Sequence, residues 1–96
     1  KERQDLYPDK NGLIRFEISQ GERIEIDLSK PMAGYLLVKN DYRPLPFGST
    51  LDLEKEMFCW LPAPGYYGTF RLVFALSGPD GQIIRKDIVV KIKCII

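Results

Sequence analysis

The stretch from Leu45 to Leu76 constrains the fold more than any other part of the chain. Phe58 and Trp60 alternate with Cys59 and Leu61, and a Pro62-Ala63-Pro64-Gly65 corner follows. Beyond the corner Phe70, Leu72, Phe74 and Leu76 then alternate with Arg71, Val73 and Ala75. A period of two puts each set of large residues on one face of an extended strand. Two such strands joined by a Pro/Gly corner suit the facing layers of a β-sandwich, with Trp60 as a core anchor.

The rest of the chain keeps the same rhythm. Ile14, Phe16 and Ile18 alternate with Arg15, Glu17 and Ser19, and after the Gln20-Gly21-Glu22 turn Ile24, Ile26 and Leu28 repeat the pattern. Pro31-Met32-Ala33-Gly34 interrupts it, and Tyr35-Leu36-Leu37-Val38 reads as a short strand buried on both sides. Asn40 to Pro46 reads as an irregular connection, followed by extended pieces at Thr50–Leu53 and Met57–Leu61. Thr69 to Leu76 is the most apolar strand and is expected at the centre of a sheet. Ser77-Gly78-Pro79-Asp80-Gly81 is the strongest hairpin signal, because Asp-Gly supplies the positive φ of a tight reversal. The last strand carries Ile88, Val90 and Ile92 inward, with Arg85, Lys91 and Lys93 placed to protect an exposed edge. No apolar set recurs at helical spacing. The expectation is an all-β antiparallel sandwich of about seven strands. It would occupy residues 13–96, after an extension and Pro8-Asp9-Lys10-Asn11-Gly12 turn over 1–12.

At 96 residues the chain is one domain, long enough to bury roughly 60 to 65% of its unfolded surface. The formal charge is +1 with acids and bases interleaved, so nothing resembles the basic field that binds phosphate backbones, and nucleic acid is not an expected partner. No run approaches the roughly 18 apolar residues of a membrane helix, and membrane insertion is not expected. Lys1-Glu2-Arg3-Gln4-Asp5 is wholly polar and lacks the apolar core of a leader; the chain reads as part of something longer.

Histidine is absent, which removes the commonest general base and metal ligand together. No Gly-rich phosphate loop and no short Cys or His ligand spacing is present, so no enzyme and no cofactor is expected. Asp52, Glu54 and Glu56 fall at period two and would line one strand face if extended, a conceivable calcium site, but a solvated hairpin is the favoured reading. Cys59 and Cys94 allow one bridge at most; strand parity turns Cys59 away from Trp60, and two free thiols are favoured. Tyr42, Tyr66 and Tyr67 are the candidate contacts for a ligand or an interface. Of the pair between Gly65 and Gly68, Tyr67 is expected to fold back onto the backbone as a corner tyrosine, and Tyr66 is left open.

Three segments then carry a resemblance. Leu45-Pro46-Phe47-Gly48-Ser49-Thr50-Leu51-Asp52 is followed by Phe58-Cys59-Trp60-Leu61-Pro62 and Gly68-Thr69-Phe70-Arg71-Leu72-Val73-Phe74. Their order and spacing resemble the cadherin-like and immunoglobulin-like repeats of secreted and surface proteins, over roughly half the chain from Leu45 to about Ile92. Lys55-Glu56 stands where those repeats usually have Thr-Gly, so this turn lacks a glycine to supply positive φ. Ser77-Gly78 replaces an acid that serves as a calcium ligand in some relatives, which counts against calcium here. The resemblance implies an immunoglobulin-like (cadherin-like) fold and an extracellular, cell-surface or periplasmic location. It also implies work as a spacer or adhesion and protein-interaction module beside neighbouring domains of the same polypeptide. The alternative is a carbohydrate-binding module appended to a secreted hydrolase, using the tyrosines on a glycan.

Overall fold

A computed structural model describes residues 13–94; the Pro8–Gly12 turn and the last two residues of the expected domain lie outside them. Eight strands follow one another with no helix among the described residues: β1 (Ile14–Ser19), β2 (Ile24–Asp27), β3 (Pro31–Val38), β4 (Asp41–Arg43), β5 (Ser49–Asp52), β6 (Met57–Trp60), β7 (Gly68–Ser77) and β8 (Ile83–Lys93). They form a five-stranded sheet in the order β1-β8-β7-β3-β4 and a three-stranded sheet in the order β2-β6-β5. The two layers make an all-β, immunoglobulin-like sandwich.

The alternating residues meet in its interior. Phe58 of the small sheet packs edge-on against Phe74 of the large one, with centroids 5.1 Å apart, and Trp60 packs likewise against Phe70 at 5.6 Å. Phe58, Trp60, Leu72, Phe74, Ile88 and Val90 are all at 0% exposure, and the isoleucines of β1 and β2 close the cluster. Burying each such side chain contributes roughly 1.5–3 kcal/mol. The indole Nε1–H of Trp60 donates to the Phe47 carbonyl at 3.2 Å, so the ring's polar atom is satisfied inside the core. Gly34 lies on the inner side of β3 opposite Phe74, and a Cβ there would stand 2.8 Å from two carbons of that ring.

Several sequence expectations need correction. The pairing is antiparallel throughout except at β1, which runs parallel to β8 with Ile14 opposite Ile88 and Ser19 opposite Lys93. The short turn after β1, closed by Glu22 N–H to Ser19 carbonyl at 3.1 Å, leads into the other sheet. β1 therefore has no hairpin partner and pairs with the free side of β8. That contact makes the Ile88–Lys93 part of β8 interior, so Lys91 and Lys93 do not guard an edge, while Arg85 lies before the paired segment; β1 and β4 are the outer strands of this sheet.

Strand β3 begins at Pro31, with a register irregularity before Ala33 absorbing the apparent break. Its Tyr35–Val38 portion is not buried on both sides, because among the described residues no third layer covers the outside of the sheet. The connection read as irregular holds the three-residue β4. The hairpin after β7 is as expected: Gly78 N–H reaches the Gln82 carbonyl at 2.7 Å and Gly81 N–H the Gly78 carbonyl at 3.1 Å. This closure sets Ser77 against Ile83 and fixes the register of every later β7–β8 pair.

Candidate functional site

The structure does not bring Tyr42, Tyr66 and Tyr67 into one site. Tyr66 is half-buried against the core, packed edge-on to Trp60 at 6.0 Å and stacked on Phe70 at 5.8 Å. Tyr67 is the exposed member of the pair, at 56%. Tyr67 was expected to fold back onto the backbone and instead faces outward, while Tyr66, left open, takes the inward place. The Ala63–Tyr66 turn, closed by Tyr66 N–H to the Ala63 carbonyl at 3.1 Å, aims residue 66 back into the sandwich. Tyr66 also shares the even parity of Phe70 and Leu72, a signal present in the sequence. Tyr42 stands elsewhere, on the edge strand β4, paired with Leu37.

Register places Tyr42 on the outer face of the five-stranded sheet. Odd-numbered residues of β7, of β8 and of β3 from Ala33 onward face that way, since the even-numbered residues of β7 and β8 supply the core. One row across the sheet is Arg15, Val89, Arg71, Leu37 and Tyr42; the next is Asp87, Val73 and Tyr35; the third is Arg85, Ala75 and Ala33. Val73 and Val89 are buried although they point away from the core. Their cross-strand neighbours Arg71, Asp87 and Tyr35 shield them, long polar side chains laying their stems over apolar ones. The result is an aliphatic floor with polar heads and two partly exposed tyrosines above it.

One carboxylate organises the polar heads. Asp87 Oδ2 accepts from Arg71 Nε at 3.0 Å and Nη2 at 2.7 Å, and Asp87 also takes Arg85 Nε on Oδ1 at 2.7 Å and Nη2 on Oδ2 at 3.1 Å. Arg85 Nη1 donates to the Tyr42 hydroxyl at 2.9 Å, and its guanidinium lies over the Tyr42 ring, 5.9 Å from the centroid. Tyr35 meets the same ring edge-on at 5.9 Å. The Arg85 hydrogen bond holds the Asp87 carboxyl below its ordinary range against the opposing effect of burial, and Arg71 adds to the lowering. Asp87 in turn raises the Arg85 guanidinium. Both shifts keep Asp87 and Arg85 charged at neutral pH.

The remaining candidates are dispersed. Asp52 ends β5, and its Oδ1 accepts from the Glu54 and Lys55 backbone N–H groups at 3.1 and 3.0 Å, so it caps a turn. Asp52, Glu54 and Glu56 therefore do not line one strand face. Glu56 itself adopts φ 56°, taking the left-handed conformation for which the sequence offers no glycine. Among the described residues no three His, Cys, Asp or Glu side chains are grouped so as to hold a metal ion. Cys59 and Cys94 are both free, the first on the outer face of the small sheet and the second exposed past the end of β8. An apolar depression of about 420 Å³ lies among Gln20, Gly21, Leu61, Pro62 and Pro64.

Tyr35, Arg71, Arg85 and Asp87 do not stand out in the sequence as a site. The signal that would find them is the hairpin, which counts Arg85 opposite Ala75 and Asp87 opposite Val73 once Ser77 meets Ile83. Arg71 then lies one diagonal from Asp87, within reach of a long side chain. Compared with models of known protein families the chain matches none, and it matches no curated protein.

Proposed function

We propose that this chain is a non-catalytic immunoglobulin-like, cadherin-like module of a larger secreted or surface protein. It acts there as a spacer and as an adhesion or protein-interaction domain, and the outer face of the five-stranded sheet is its contact surface. The observation that carries this reading is the pairing of Tyr35 and Tyr42 with Arg85 over an aliphatic floor. Tyrosine and arginine are the residues most enriched where protein interfaces concentrate their binding energy. Their positions are set by strand register and by Asp87, so little conformational entropy is lost when a partner docks. The parallel β1–β8 pair supports the spacer role. The chain enters β1 and leaves β8 in one direction, so segments joined on either side lead away from opposite ends of that pair.

Replacing Tyr35 and Tyr42 together by Ala in the parent protein should weaken binding to its partner-bearing surface by tenfold or more, about 1.4 kcal/mol, with the unfolding midpoint preserved. Thr50→Ala, on the opposite outer face, should change neither quantity. Unchanged binding in the double variant would count against the reading. Titration with soluble glycans separates it from the carbohydrate-binding alternative, in which the Tyr42 and Tyr67 ring signals shift.

A further inference from the structure

We infer that Arg71 and Arg85 form a clamp for a carboxylate of the partner protein, an Asp or Glu side chain set among apolar neighbours. This deepens the interface reading above and rests on it. A guanidinium carries five N–H donors in a planar fork. Arg71 places two of them on Asp87, and Arg85 places two on Asp87 and one on the Tyr42 hydroxyl. Each arginine thus keeps donors beyond those that fix its position, and the two side chains remain 43% and 52% exposed. Asp87, at 10%, is enclosed between them and neutralises only one of the two charges. The Tyr42 hydroxyl accepts from Arg85 and keeps its own proton to donate.

Charge complementarity selects the occupant. Among the described residues of this face Arg15, Arg71, Arg85, Lys91 and Lys93 stand against Glu17 and Asp87, an excess of cations that favours an anionic partner. The excess is too sparse for a phosphate backbone, which draws on many basic contacts. A carboxylate matches the guanidinium fork in plane and spacing. The surface beside the clamp, with Ala75, Ala33 and Tyr35, takes apolar side chains of a protein segment. A sugar acid fits less well, because one face of the Tyr42 ring is already covered by Arg85 and its edge is met by Tyr35, leaving less ring for stacking.

The test uses the 96-residue chain and three probes: a capped extended peptide with Glu flanked by valines, its Gln counterpart, and a uronic-acid oligosaccharide. Nε–H signals of Arg71 and Arg85 and ring signals of Tyr35 and Tyr42 are followed by NMR. The Glu peptide is expected to shift both Nε–H signals saturably and to bind at least tenfold tighter than the Gln peptide. That preference should be lost in an R71Q/R85Q variant and reduced in R71K/R85K, which keeps the charge without the fork and serves if the first variant misfolds. Equal binding of Glu and Gln peptides, with Tyr35 and Tyr42 responding to both, overturns the clamp and leaves the interface reading standing. Shifts with the oligosaccharide alone overturn both. No response to any probe, or a Glu preference that survives R71Q/R85Q, overturns the clamp.

Discussion

The two faces of the five-stranded sheet are made by the same strands and do different physical work. On the inner face, Phe70, Leu72, Phe74, Ile88 and Val90 are held by volume and contact, and their stabilisation grows with the area removed from water. On the outer face, Arg71, Arg85, Asp87 and Tyr42 are held by directed hydrogen bonds, and most of that surface stays wet. Exposed ion pairs add little to stability. The difference teaches that the inner face decides whether the sandwich forms, while the outer face is ordered without being needed for folding, a condition expected of a surface kept for contact.

The sharpest way to break that comparison is to remove a core ring. Trp60→Ala should cost about 4 kcal/mol by urea unfolding, since it empties a fully buried site and leaves the Phe47 carbonyl without its donor. By contrast, R85Q should leave the unfolding midpoint unchanged. If the two losses were comparable, the outer cluster would belong to the folding core. Gly34→Ala tests the inner face from the other direction. The added Cβ meets Phe74 ring carbons at 2.8 Å and Leu45 Cδ1 at 3.1 Å, and overpacking should cost about 1–3 kcal/mol.

Asp87→Asn should cost less, under about 1 kcal/mol at neutral pH, and its signature is in acid. Because the folded carboxyl lies below its ordinary range, its contribution is complete above the unfolded value of about 3.9 and is lost as pH falls through the lowered folded value. The gap in unfolding midpoint between wild type and variant should therefore close in that acidic window. A gap constant down to pH 2 would mean that packing, not charge, holds Asp87. The smallest effect is expected from Tyr42→Phe, which removes only the hydroxyl that Arg85 meets. Its unfolding midpoint should match wild type, and the Arg85 Nη signals should report the lost acceptor.

Much of the inner face was legible in the sequence because period-two alternation and the Gly78-Pro79-Asp80-Gly81 reversal carry strand identity, facing and register locally. Phe58, Trp60 and Phe74 were assigned inward on that basis, and they are the largest fully buried side chains of the core. The outer cluster was not legible as a site. Lys91 and Lys93 were read as edge charges because the sequence does not reveal that β1 covers the Ile88–Lys93 part of β8. Tyr67 was expected to turn inward and Tyr66 was left open, because both precede β7 and the turn at Ala63–Tyr66, not strand alternation alone, aims the ring. Asp52, Glu54 and Glu56 were read as a solvated hairpin, but the turn-capping role of Asp52 was not visible because it depends on where β5 stops.

The chain by itself determined an all-β sandwich with its aromatic interior, since alternation and turn chemistry are properties of neighbouring residues. Only the tertiary structure decided which strands stand beside which, and with that the meeting of Arg85 on β8 with Tyr42 on β4 across two intervening strands. Residues 43 positions apart are joined through sheet order and register, which are set by the packing of both layers at once.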